Sequence, residues 1–191
     1  MYIAGSFHTV RCSVCGGGKE WIDNDPHYWS SPPTWGICRN DLRRRADVGD
    51  YIFFVLPKAA KHSQSIFGYL KVQEKITHTT AYARGKLKSK RMSNKIPNGN
   101  IIVDASGRYN RFDAGAHQHM FDRIKDEYVI GEVANSRLLT ADEIEALAPD
   151  FVSMLQRVFN SLGTTPIDLI SRYGQTLSPA QIQAVLEWVN G

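Results

Sequence analysis

Up to about residue 139 the chain alternates short, almost wholly apolar runs with long polar connections, the pattern of strands joined by loops. Tyr51 to Leu56 (Y-I-F-F-V-L) is a continuous apolar run of strand length, bounded by Val48-Gly49-Asp50 on one side and Pro57 on the other. Ile66 to Val72 (I-F-G-Y-L-K-V) reads as its partner, so the two predict a hairpin-like unit. Further strands are predicted at Tyr2 to Phe7, Ile76 to Tyr82, Ile101 to Val103 and Tyr128 to Val133, with a turn at Pro97-Asn98-Gly99-Asn100. Arg84 to Lys95 mixes basic and small residues without a period and predicts a loop.

From Thr140 the period becomes helical. Thr140-Ala141-Asp142-Glu143 is a capping box, Pro149 opens a second helix that ends before Gly163, Pro166 opens a short third, and Ser178-Pro179 starts a fourth running to Asn190. Phe151, Leu155, Val158 and Phe159 share one face of the second helix, and Ile182, Val185, Leu186 and Val189 share one face of the fourth. The expected fold is α+β: a small mixed or antiparallel sheet or barrel core over residues 1–139, with a C-terminal helical extension, residues 140–191, packed on it.

Charge sharpens this division. The net +4 is the sum of a basic first part, +8, and an acidic tail in which Arg157 and Arg172 face six acids. Lys71 to Lys95 holds eight Lys and Arg against Glu74 alone, and a second basic run lies at Arg39 to Arg45. Such runs suit a phosphate backbone, where each neutralised phosphate releases counterions. Candidate backbone contacts are Arg39, Arg43, Arg44, Arg84, Lys86, Lys88, Lys90 and Arg91. No run reaches membrane-spanning length and the N-terminus lacks a basic region followed by an apolar stretch, so a cytoplasmic location without membrane contact is expected.

Two stretches carry candidate chemistry. Trp21 to Trp35 gathers three Trp, one Tyr, one His, two Asp and three Pro in fifteen residues, a composition that suits stacking on a base with acids at hand. Its base-binding candidates are His27, Tyr28, Trp29 and Trp35, joined by Asn100 from the later turn, and its acids are Asp23 and Asp25. The second stretch places Asp104, Asp113, His117 and His119 within sixteen residues. An acid leaving a strand near histidines can act as general base or charge stabiliser, or can simply cap a turn. Three cysteines are too few for a disulfide scaffold. Cys12-x-x-Cys15 followed by glycines, with Cys38, could hold zinc or could be a hairpin with reduced thiols, and no cofactor is required by the rest of the pattern.

Thr34, Cys38, Arg39, Leu42, Arg43, Ala46, Val48, Gly49 and Asp50 fill the spacing T-x-x-x-C-[KR]-x-x-[LI]-R-x-x-A-x-V-G-D. On these residues the segment from about 20 to 135 resembles the nucleotide-modification-associated domain, second type (Nmad2), a family placed in phage and bacterial systems that make or meet modified DNA bases. The order Gly49-Asp50, strand, loop, Gly68-Tyr69-Leu70-Lys71-Val72 is similar also to small base-binding barrels of the PUA and EVE type. The resemblance implies DNA with modified bases as the partner.

Two functions are compatible with these features. One is a DNA glycosylase that excises a modified base, for instance glucosylated hydroxymethylcytosine, from phage DNA as antiviral defence. A carboxylate among Asp23, Asp25, Asp104 and Asp113, or His117 beside it, would serve the oxocarbenium-like sugar or its water. The other is a reader that binds the modified base and recruits a partner effector. No P-loop, G-x-G-x-x-G, H-E-x-x-H or G-x-S-x-G occurs, which argues against the nucleotide hydrolase, dehydrogenase, metalloprotease and esterase classes.

Overall fold

The apolar run at 51–56 forms the strand on which the two faces of the molecule are built. The computed structural model describes residues 2–5, 25–56, 64–96, 99–113, 115–171 and 174–191. In chain order the elements are β1 (Tyr2–Gly5), β2 (Thr34–Trp35), α1 (Asn40–Arg45), β3 (Tyr51–Val55), β4 (Ile66–Ile76), α2 (His78–Ala83), α3 (Phe121–Ile124), β5 (Tyr128–Gly131), β6 (Arg137–Leu138), α4 (Ala141–Leu147), α5 (Phe151–Phe159), α6 (Pro166–Ile170), β7 (Gln175–Thr176) and α7 (Pro179–Asn190). The fold is α+β.

The strand order is β2-β5-β4-β3-β1-β7, with β6 also paired to β4. Pairing is antiparallel throughout except between β1 and β3, which run parallel, so the sheet is mixed. The path is open, and the described pairings do not close it into a barrel. β4 reaches across the sheet: its first half pairs β3, with Phe53 opposite Tyr69, and its second half pairs β5, with Ile76 opposite Tyr128.

The apolar run is continuous because both faces of β3 are covered, and side chains alternate between them. Phe53 and Val55 point to one side, where they join Ile66, Tyr69, Phe151, Leu155, Leu169, Val185 and Val189 in one core. Ile52 and Phe54 point to the other, against Trp35, Leu42, Ala46, Leu70, Val72 and Val129. The helices after residue 139 thus bury their apolar stripes on the sheet, each large side chain adding roughly 1.5–3 kcal/mol by removal from water. Their starts are fixed by capping boxes at Thr140/Glu143, Thr165/Asp168 and Ser178/Gln181, and α5 ends at Asn160 in the left-handed conformation (φ 47°).

Three expected elements differ. Ile76 ends β4, and the expected strand to Tyr82 is instead helix α2, started by Thr77 accepting from the Thr80 N–H. The expected loop at 84–95 contains a 3-10 helix, Gly85–Lys90, held because Leu87 and Lys90 are buried. Ile101 and Val103 make only isolated bridges, to Arg91 and Tyr109.

Candidate functional site

Asp25 to His27, before β2, are buried and enter a polar knot. Asp25 is fully buried, and its Oδ1 accepts from the Gly36 N–H (2.6 Å) and Asn100 Nδ2 (3.2 Å) while its Oδ2 accepts from the N–H groups of Ile37 (2.8 Å) and Cys38. Gly36 is required there, since a Cβ would stand 2.6 Å from the Tyr128 ring and 2.8 Å from the Asn100 carbonyl oxygen. Asn100 is saturated in turn: its Oδ1 accepts from Tyr128 Oη (2.7 Å) and Thr34 Oγ1 (3.2 Å), and its Nδ2 also donates to the Thr34 carbonyl (3.3 Å).

Arg43, from α1, enters the same interior. Its Nε donates to the Glu127 carbonyl (3.0 Å), its Nη1 to the Cys38 carbonyl, and its guanidinium lies 5.7 Å from the centre of the Trp35 ring. Nη2 is buried without a hydrogen-bond partner among the described residues. Burial lowers the Arg43 pKa, and the nearby Asp25 charge opposes that shift. His78 lies against Tyr128, its Nε2 donating to the Gly36 carbonyl (2.8 Å) and its Nδ1 accepting from the Ile102 N–H (3.3 Å). Burial first, and the Arg43 charge second, hold its pKa down to about 3, so the imidazole is neutral.

A second buried contact pins the loop from above. Lys90 Nζ donates to His27 Nδ1 (2.9 Å), the His27 carbonyl (3.3 Å) and the Ser30 carbonyl. Burial lowers the Lys90 pKa to about 7, and burial together with the Lys90 charge lowers that of His27 to about 4.

These placements correct several expectations. Arg43 and Lys90 have no exposed surface and do not reach a DNA backbone. Asp25, His27, Trp35 and Asn100 are buried among protein groups and do not line an open base pocket. Tyr28 turns its ring edge-on to Phe54, whereas Trp29 is 46% exposed. Arg39 is engaged with Asp41 (2.9 Å), and Arg84 forms a two-pronged pair with Glu74; Arg44, Lys86 and Lys88 are exposed. Asp104 caps its own turn, Oδ1 accepting from the Ser106 N–H (2.8 Å), Ser106 Oγ (2.6 Å) and the Arg108 N–H (3.1 Å). Asp23, Cys12 and Cys15 lie outside the described residues, and Cys38 is buried. Among the described residues no group of three or more His, Cys, Asp or Glu is arranged to hold a metal ion. No described helix is long and apolar enough to cross a membrane.

The open site is elsewhere. A cleft of about 580 Å³ is walled by the cations Lys88, Arg91, Arg108 and Arg111, by the rings of Tyr82, Tyr109 and Phe112, and by Asp104. Arg91 stacks on Tyr82, its guanidinium carbon 4.5 Å from the ring centre, and Arg111 lies 5.0 Å over Phe112, itself 41% exposed. Sequence reasoning named Lys88, Arg91 and Asp104 but missed Tyr82, Arg108, Tyr109, Arg111 and Phe112. The signal was present in Arg108-Tyr109-Asn110-Arg111-Phe112, where cations and rings alternate beside the acids that drew attention.

Behind Tyr109 lie Asp113 and His117, which the structure brings together. The Asp113 carboxylate accepts from Tyr109 Oη, the His117 N–H (2.9 Å) and His117 Nδ1 (3.0 Å to each oxygen). Burial pushes the Asp113 carboxyl up, but the bonds from His117 and Tyr109 more than offset this and leave it below the ordinary carboxylate range. The bond to Asp113 raises the His117 pKa, and burial with the adjacent Asp113 pushes Tyr109 up to about 12. Comparison of the chain with protein-family models, with curated proteins and with solved structures found no match.

Proposed function

We propose that the protein binds DNA and takes one nucleotide, bearing a modified base, out of the stack and into the basic aromatic cleft. The observation that carries this reading is the convergence of four cations and three aromatic rings on one cleft of nucleotide size. The cations suit the flanking phosphates, and rings offer a face to any base, each such stack contributing about 1–3 kcal/mol. Extrusion costs a few kcal/mol, which such contacts can repay. The basic character of the first part of the chain and the Nmad2 resemblance support modified DNA as the partner.

The test is fluorescence anisotropy with duplexes containing cytosine, hydroxymethylcytosine or its glucosylated form, across a salt series. Wild type is expected to favour a modified duplex. Phe112→Ala should weaken binding about tenfold, from the loss of one base stack. Arg111→Ala should weaken all duplexes alike and lower the salt slope by about 1. Affinity and slope unchanged in both variants would remove the cleft from the interface.

A further inference from the structure

Among the described Trp, Tyr and Phe side chains only two are exposed, Trp29 (46%) and Phe112 (41%). Phe112 walls the cleft and Trp29 does not. A single exposed ring needs no explanation, but Trp29 is held in a fixed place beside the cleft. It stands in a loop closed by backbone hydrogen bonds between His27 and Thr34, and that loop is fastened at two points to the 3-10 helix Gly85–Lys90. Lys90 Nζ donates to the carbonyls of His27 (3.3 Å) and Ser30, and the Ser30 and Ser89 hydroxyls meet at 2.9 Å on the surface. Ser89 follows Lys88 of the cleft wall, which keeps the Cα atoms of Trp29 and Lys88 within roughly 15 Å of each other.

The surface between the two rings is basic. The 3-10 helix buries Leu87 and Lys90 and leaves Lys86, Lys88 and Ser89 exposed. Lys86, Lys88, Arg91 and Arg111 have no ion-pair partner among the described residues. Glu74, whose charge reaches Lys86, is held in its two-pronged pair with Arg84. Inside the cleft, two groups that could read a base edge are already engaged. Asn110 Nδ2 donates to the Met92 carbonyl (2.8 Å) while its Oδ1 accepts from the Phe112 N–H (3.0 Å), and Tyr109 Oη donates to Asp113. What stays open is mainly ring face and positive charge, the means by which proteins grip a single strand.

We infer that the cleft takes its DNA as an unpaired strand, which lays one base against Phe112, runs its phosphates past Lys88 and Lys86, and stacks a second base on Trp29. This rests on the cleft reading above and names the form of DNA that the cleft receives. One extruded nucleotide fills the cleft and leaves nothing for a ring outside it. In a duplex both faces of each base are covered by its neighbours, so Trp29 finds a free face only where the strand is unpaired. With a rise of about 3.4 Å per stacked nucleotide, a few unpaired residues cover the distance from Lys88 to Trp29. A protein could also cover Trp29, but four cations without acidic partners along one path call for repeating negative charge, which a phosphate backbone supplies.

The full chain is titrated with a fluorescein-labelled DNA oligonucleotide of mixed sequence, alone and annealed to its complement, and anisotropy is read across a salt series. The single strand is expected to bind about tenfold or more tightly than the duplex, since no pairing or stacking has to be broken. Trp29→Ala should weaken the single strand about tenfold and Trp29→Phe should keep most of the affinity, because any ring offers a face. Lys88→Ala should lower the slope of log affinity against log salt by about 0.7. Equal or tighter binding of the duplex overturns the inference and leaves the cleft reading standing. Single-strand affinity unchanged in Trp29→Ala also overturns it, and preference for an RNA strand of the same sequence overturns the choice of DNA. Absence of binding to DNA in either form overturns both readings.

Discussion

The polar knot around Asp25 and the cleft around Arg91 draw on the same residue types, acids, cations, aromatic rings and histidines, yet they are opposite in kind. In the knot, Asp25 meets three backbone N–H groups and Asn100, Asn100 fills every site it has, and His78 is closed on both nitrogens. In the cleft, rings and cations border solvent, and Arg108 has 82% of its side chain exposed. The difference lies in where hydrogen-bonding capacity is spent. An unmade bond is costly in a low-dielectric interior, so the knot closes on itself at all but Arg43 Nη2, whereas a binding surface keeps capacity for its ligand.

The largest expected effect follows from the knot. Asp25→Ala leaves three buried N–H groups without their acceptor and removes the carboxylate beside the buried Arg43 guanidinium, and should destabilise the fold by about 3–5 kcal/mol. Urea unfolding measures this, and Arg111→Ala, at the cleft, should unfold with the wild-type midpoint. An Asp25→Ala variant of wild-type stability would erase the distinction.

The histidines sharpen it next. The pKa values of His78 and His27 are lowered in the fold to about 3 and about 4, so the unfolded chain binds more protons below 6.5. Their contribution is complete above pH 6.5 and is lost as pH falls toward those values, a loss on the order of a few kcal/mol. His117 runs the other way, since its raised pKa adds stability below 6.5 that disappears as pH rises through the folded value. NMR titration of the ring protons should find His78 neutral at pH 5 and His117 titrating above an ordinary imidazole. A His78 that titrates near 6.5 would mean that the knot is open to water.

Much of this was legible in the sequence and some was not, for identifiable reasons. The strands at 51 and 66 and the helices after 140 announce themselves through apolar runs and capping boxes, which are local. Helix α2 was hidden because Ile76 reads on from a strand and its start depends on one threonine, Thr77. The turn at 85–90 was hidden because it buries the stem of a lysine, Lys90, whose partners His27 and Ser30 lie some sixty residues earlier. Asp113 and His117 were readable as candidates because two acids and two histidines fall within sixteen residues. That Asp25 faces inward and Arg111 outward was not, since both directions are set by contacts remote in sequence. Composition locates chemistry along the chain, and burial decides what it is for.

The smallest effect tests the remaining acid. Asp104 is the only acid among the described residues of the cleft wall, with Oδ1 capping its turn and Oδ2 3.7 Å from Arg108 Nε. Its carboxyl lies below the ordinary range, chiefly through the hydrogen bond from the Ser106 hydroxyl, so it is ionised at neutral pH and lowers the positive potential of the cleft. Asp104→Asn keeps an acceptor for the turn and removes only the charge. DNA should then bind about twofold more tightly at low salt, a small gain because exposed charges are screened. An affinity that fell instead would mean that Asp104 itself holds a group of the ligand, and the cleft would then read more than phosphate charge.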